Sequence, residues 1–132
     1  MVLMLGFVTF VILFGVFAVS PALAQQTSNV TITDGSGLGQ MCVAARNCFN
    51  PHILHILSGT TVTWNNTDHF SHTVTSGSPY DDKPGMEFDS SLIAPDHTFT
   101  FTFEDIGTYH YFCEIHPWMR GEIDVTPNNI LN

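Results

Sequence analysis

The chain has 132 residues, room for about one domain, and sets 12 Asp and Glu against three Lys and Arg for a net charge of −9. The bases Arg46, Lys83 and Arg120 are scattered, and a chain so short of cations cannot neutralise phosphates, so a nucleic-acid partner is excluded. The acid excess reads first as solubility and second as long-range steering toward a basic partner.

Residues 2–19 are apolar apart from Thr9, and Ser20-Pro21-Ala22-Leu23-Ala24-Gln25 follows. An apolar run before Ala-x-Ala predicts a secretory signal cleaved after Ala24. No Lys or Arg precedes the run, and its length approaches that of a bilayer span, so an uncleaved N-terminal membrane anchor is the second reading of this hydrophobic helix. Either way the remainder is expected to be exported, to the periplasm or to the cell surface and beyond. Residues 25–50 are expected to form an N-terminal extension, and residues 51–132 the main domain.

The rest of the chain reads as β structure. Short strands are predicted at Val30-Thr31-Ile32, Ile53–Leu57, Thr61–Trp64, His72–Thr75, Thr98–Phe103, Gly107–Cys113 and Gly121–Val125. Thr98-Phe99-Thr100-Phe101-Thr102-Phe103 alternates strictly, the period of a half-buried strand. Residues 34–40 and 77–85 read as loops, and a turn of helix fits near 41–46. Several short strands separated by turn signals predict an all-β, Greek-key sandwich or barrel of seven or eight strands.

Three cysteines are an odd count for an exported protein. Cys42 and Cys48 lie close enough to close a small disulfide loop, worth ~2 kcal/mol in the chain-entropy model. Cys113 is left over. It opens Cys113-Glu114-Ile115-His116-Pro117-Trp118-Met119, which gathers a thiol, an imidazole and a thioether into seven residues. Alternation along the strand before it places Tyr109, Tyr111 and Cys113 on the inward face, and His110 and Phe112 on the other. Pro117 stops the ladder, so the chain must turn and can fold His116 and Met119 back over Cys113.

A metal held there needs a third strong ligand from another loop at the same end of the sandwich. His72 fits, at the start of a strand after a polar turn, and His69 is its rival. One thiolate and two imidazoles with a weaker thioether are the ligands of a type 1 copper centre. A structural zinc site takes four strong ligands and gains little from Met. His52, His55, His97 and His110 read as surface or half-buried strand residues, and Glu114 as surface. The order Cys48, Trp64, Cys113 mimics an immunoglobulin domain, but there the second Cys follows the corner Tyr by two residues, whereas Cys113 follows Tyr109 by four.

Residues 52–126 resemble a cupredoxin, the small blue copper proteins of the plastocyanin, amicyanin and pseudoazurin type. The resemblance rests on "GTTVTWNNTDHFSHTVTS" (59–76) and "FTFTFEDIGTYHYFCEIHPWMRGEIDV" (99–125), in that order. It implies a Greek-key sandwich holding one copper ion on His72, Cys113, His116 and a weak axial Met119. The short Cys-x2-His-x2-Met spacing, with Pro after the His, is similar to the amicyanin loop. Thr73 stands where the family often has an Asn that ties the two ligand loops together, and Ile115 stands where Pro is common. The function implied is one-electron transfer between redox protein partners, with His116 as the electron port and Pro117 and Trp118 as an apolar docking patch beside it. The alternative is a small copper redox enzyme that binds a small anion or nitrogen oxide at an open copper position.

Overall fold

The computed structural model describes residues 25–129; the expected signal or anchor at 1–24 lies outside them. The alternating Thr-Phe run forms β6 (Thr98–Phe103), which pairs antiparallel with β4 (Thr60–Asn66) so that Trp64 faces Phe99, Val62 faces Phe101 and Thr60 faces Phe103. The period of two puts Thr60, Val62, Trp64 and Asn66 of β4 on the buried face. The sheet is completed by β1 (Thr27–Ile32) and the two-residue β2 (Phe49–Asn50), in the order β2-β1-β4-β6.

The second sheet has the order β3-β8-β7-β5, from β3 (Ile53–Leu57), β8 (Arg120–Thr126), β7 (Gly107–Phe112) and β5 (Thr75–Ser76). Both sheets are mixed: β1 runs parallel to β4 and β3 parallel to β8, while the other pairs are antiparallel. The core lies between the sheets, with Trp64 in edge-to-face contact with Tyr111, and Phe88 tilted against Phe101 and edge-to-face with Phe103. The expected all-β two-sheet architecture is observed, with eight strands among the described residues. No helix there is long and apolar enough to cross a membrane.

Residues 25–50, expected as an extension, are woven into this fold. β1 lies between β2 and β4, with Val30 and Ile32 fully buried in the common core, because its alternating apolar residues need the opposing sheet to cover them. The predicted turn of helix is α1 (Gln40–Ala45), and Cys42 and Cys48 form the expected disulfide.

Two local expectations change. The strand predicted at 72–75 pairs with β7 only from Thr75, because the segment before β6 runs alongside it. Ile93 exchanges backbone bonds with His72 in both directions, and Ser90 Oγ accepts the Val74 amide N–H. Phe112 points away from the inter-sheet core as alternation requires, yet it is 3% exposed. Its side of the sheet is walled by a cleft that also includes the Cys42–Cys48 disulfide, Val43 and Trp118.

Candidate metal centre

The antiparallel pair β7–β8 makes a ladder whose connecting loop is residues 113–119. It closes with Cys113 N–H donating to Met119 O and Met119 N–H to His116 O. The ladder is tight. Tyr111 faces Gly121, and a Cβ at 121 would sit 2.3 Å from the Tyr111 ring. Only glycine leaves room for that ring, so the base of the loop is set by core packing rather than by the loop's own residues.

Three donors from two loops converge there. His72 Nδ1 lies 3.7 Å from Cys113 Sγ, His116 Nδ1 lies 3.7 Å from the same sulfur, and the two Nδ1 atoms are 3.0 Å apart. His72 and Cys113 are fully buried and His116 is half-buried. A point in the plane of this triangle is about 2.0 Å from each donor, in the range of metal–nitrogen bonds and slightly short of a metal–sulfur bond. Two imidazoles and a thiolate in a trigonal array suit copper, and the group is positioned for one copper ion.

The structure brings His72, rather than its rival, to the group. His69 is exposed and faces Asp34 at 3.7 Å. Met119 is fully buried and belongs to the core cluster with Cys113. Thr73 lies between the two loops: its amide N–H donates to Cys113 Sγ at 3.2 Å, and its hydroxyl accepts the Glu114 N–H at 2.8 Å. Glu114 and Pro117 are exposed. Trp118 is half-exposed; its indole N–H donates to Ser36 O, and its ring covers Gly39, which has a positive φ of 83° and where a Cβ would stand a tight 3.0 Å from the indole nitrogen. The His116 ring stands between Phe70 and Trp118. The remaining sequence histidines do not join: His55 and His110 pair with Asp124 and Glu122 on the outer face of the second sheet.

Sequence reasoning passed over Asp68. Its carboxylate, 1% exposed, accepts the Gly35 and His69 amides at Oδ1, and the Gly37 amide and His72 Nε2 at Oδ2. A carboxylate buried alone costs several kcal/mol. Burial opposes its ionisation, but the bonds from Gly37, His72, Gly35 and His69 outweigh burial and hold the carboxyl below its usual range. Burial also lowers the His72 pKa, against the opposing pull of Asp68 and with a further lowering from His116. His72 is therefore a neutral imidazole whose Nε2–H is used by Asp68, leaving the Nδ1 lone pair directed at the donor group. The spacing Asp-x3-His was the available signal, but an Asp in an Asn-Asn-Thr-Asp turn reads as solvated.

Comparison with known proteins agrees with this architecture. Residues 40–126 match the family model of copper binding proteins, plastocyanin/azurin family. Amicyanin-alpha of Methylorubrum extorquens is 29% identical over 111 residues, spanning 83% of this chain and 89% of that protein. The plastocyanin of Scenedesmus fuscus is 31% identical over 105 residues, spanning 74% of this chain and 99% of that protein. Among solved structures, a purple cupredoxin from Nitrosopumilus maritimus superposes with a TM-score of 0.67 at 30% identity, covering 75% of this chain and 99% of that one. With the fold, the His-Cys-His donor group and the family match in agreement, the chain belongs to the plastocyanin/azurin family of copper binding proteins, the cupredoxins.

Proposed function

We propose that the protein is an exported one-electron carrier in which His72, Cys113, His116 and Met119 hold a single copper ion. The observation that carries this reading is the donor triangle itself, with two Nδ1 atoms and one thiol sulfur at 3.0–3.7 Å from one another. Copper bound there supplies a Cu(I)/Cu(II) couple and an intense thiolate-to-metal absorption.

The chain's own residues serve the transfer. Thr73 fixes the Cys113 sulfur with an amide hydrogen bond and ties the His72 loop to the ligand loop through its hydroxyl. This holds the donors in one geometry in both oxidation states, which keeps rearrangement on transfer small. His72 and Cys113 are sealed from water, while half-buried His116 reaches the surface between Phe70 and Trp118. The edge of His116 is the electron port, and exposed Pro117 with half-exposed Trp118 forms the apolar patch on which a redox protein docks. The buried Met119 thioether is the weak fourth donor.

Stepwise reduction and reoxidation of the copper-loaded protein tests the reading, with and without azide or nitrite. A carrier cycles reversibly and keeps its visible spectrum when the anions are added. Anion-induced spectral change with turnover of nitrite would replace this reading with that of a small-anion redox enzyme. Met119→Leu is expected to raise the reduction potential and leave the colour largely intact; an unchanged potential removes Met119 from the donor set.

A further inference from the structure

Asp68 stands one imidazole away from the donor group, and its environment is more elaborate than a loop residue requires. The strand β4 ends in Asn66, itself 1% exposed, whose side chain donates to Phe70 O and Ile93 O and accepts the Asp68 N–H. That clamp sets the loop from 66 to 72 and presents the Asp68 carboxylate to His72 Nε2 at 2.8 Å. The other side of the carboxylate is met by amides of Gly35 and Gly37 from a different part of the chain. Those amides flank Ser36, whose carbonyl accepts the Trp118 indole N–H from the ligand loop. Ser36 is anchored in turn, its hydroxyl donating to Cys48 O. A buried carboxylate is thus built in from both sides, with His72 as its only side-chain partner among the described residues.

We propose that Asp68 is a positioning residue that sets the reduction potential of the copper centre. It locks His72 in the Nε2–H tautomer, aims Nδ1 at the metal position, and holds a fixed negative charge behind that imidazole. This inference rests on the copper reading above and deepens it. The charge makes the imidazole a stronger donor and favours the more positive oxidation state, Cu(II) over Cu(I). On oxidation one electron passes to the redox partner, and no bond within the chain is made or broken. Because the carboxylate is 1% exposed, solvent does not screen the effect as it would for a surface acid. Removing the outer partner of a ligating His changes metal affinity by about 10- to 100-fold. Falling on Cu(II) alone, that change raises the potential by about 60–120 mV, at 59 mV per tenfold for one electron.

The test is the reduction potential of copper-loaded Asp68→Asn against the wild type, with Asp34→Asn as control. Asp34 is an exposed acid, so its variant makes the same change in net charge where solvent screens it. The expected result is a rise for Asp68→Asn within that range and no shift for Asp34→Asn. An Asp68→Asn potential equal to the wild type, or an equal shift in the control, overturns the proposal. Asn places an NH2 where Gly35 and His69 now donate, so this variant is expected to be less stable. The wild-type Cu(I) form therefore supplies a second readout, the nitrogen-15 spectrum of its imidazoles. His72 is expected to carry a slowly exchanging proton on Nε2 and none on Nδ1; a rapidly exchanging Nε2 proton or an Nδ1–H tautomer also overturns the proposal. Absence of the visible band in the wild type would instead defeat the copper reading.

Discussion

Gly121→Ala probes the packing that supports the ligand loop. The new methyl carbon would lie 2.3 Å from Tyr111 Cζ, 2.4 Å from its hydroxyl oxygen and 2.8 Å from Cε1, whereas carbon atoms in good contact stand about 3.5–4.0 Å apart. The ring must retreat by more than about 1 Å to restore that spacing. It has little space to do so: Tyr111 is 1% exposed, with Phe49 at 4.8 Å and Trp64 at 5.6 Å between centroids. Overpacking of this kind costs about 1–3 kcal/mol, a fall in Tm of roughly 5–20 °C for a domain of this size. Tyr111 and Gly121 are paired across β7 and β8, two residues before Cys113 and two after Met119, so the strain is delivered to the base of the ligand loop. Urea denaturation of the metal-free protein measures the loss, and the visible spectrum of the copper-loaded variant reports the distortion. In a double-mutant cycle with Tyr111→Leu the two losses should sum to less than their separate values. A Gly121→Ala protein within about 0.5 kcal/mol of wild type, or strict additivity in the cycle, would refute the reasoning.

Replacing Cys42 and Cys48 together by Ala opens the disulfide loop and should lower stability by about 2 kcal/mol. It should also shift Trp118 fluorescence, since Ser36 links Cys48 to the Trp118 indole; unchanged stability and emission would contradict this. The metal-free protein should lose stability as pH falls below the ordinary imidazole value of 6.5, because burial depresses the pKa of His72 in the folded state. Above that value the unfolded imidazole is also neutral and the contribution is fully present. Below it the unfolded chain binds a proton that the folded chain does not, at a slope of up to about 1.4 kcal/mol per pH unit for this group. Denaturation from about pH 7.5 to about pH 5 measures the loss, and a flat profile would contradict the burial of a neutral His72.

The strands that were legible in the sequence are those whose two faces differ in environment. Thr98–Phe103 and Ile53–Leu57 alternate or run apolar between turn signals, and both strands have these bounds in the structure. β2 has only two residues and exists because β1 offers an edge, so no local pattern marks it. The segment holding Phe88 and Ile93 buries those two side chains but is irregular; it follows the shape of its neighbours rather than a period. At the donor group, Cys113 and His116 were readable because one short loop carries them both. Position at the start of a strand favoured His72 over its rival His69, the resemblance agreed, and the structure separates the two by burial. Asp68 was illegible because its burial depends on amides some 31–33 residues earlier in the chain, a contact that no spacing rule records. Phe112 shows the same limit: alternation gave its direction but not its burial in the wall of a cleft.

The central claim, that one copper ion sits on the Cys113 thiolate, is tested most directly by titrating the metal-free protein with Cu(II) and recording visible absorption, for the wild type and for Cys113→Ser. Saturation at one ion per chain is expected, with an intense thiolate-to-copper band that Cys113→Ser abolishes. A band that survives in Cys113→Ser, or a wild type that binds copper without it, would contradict the account.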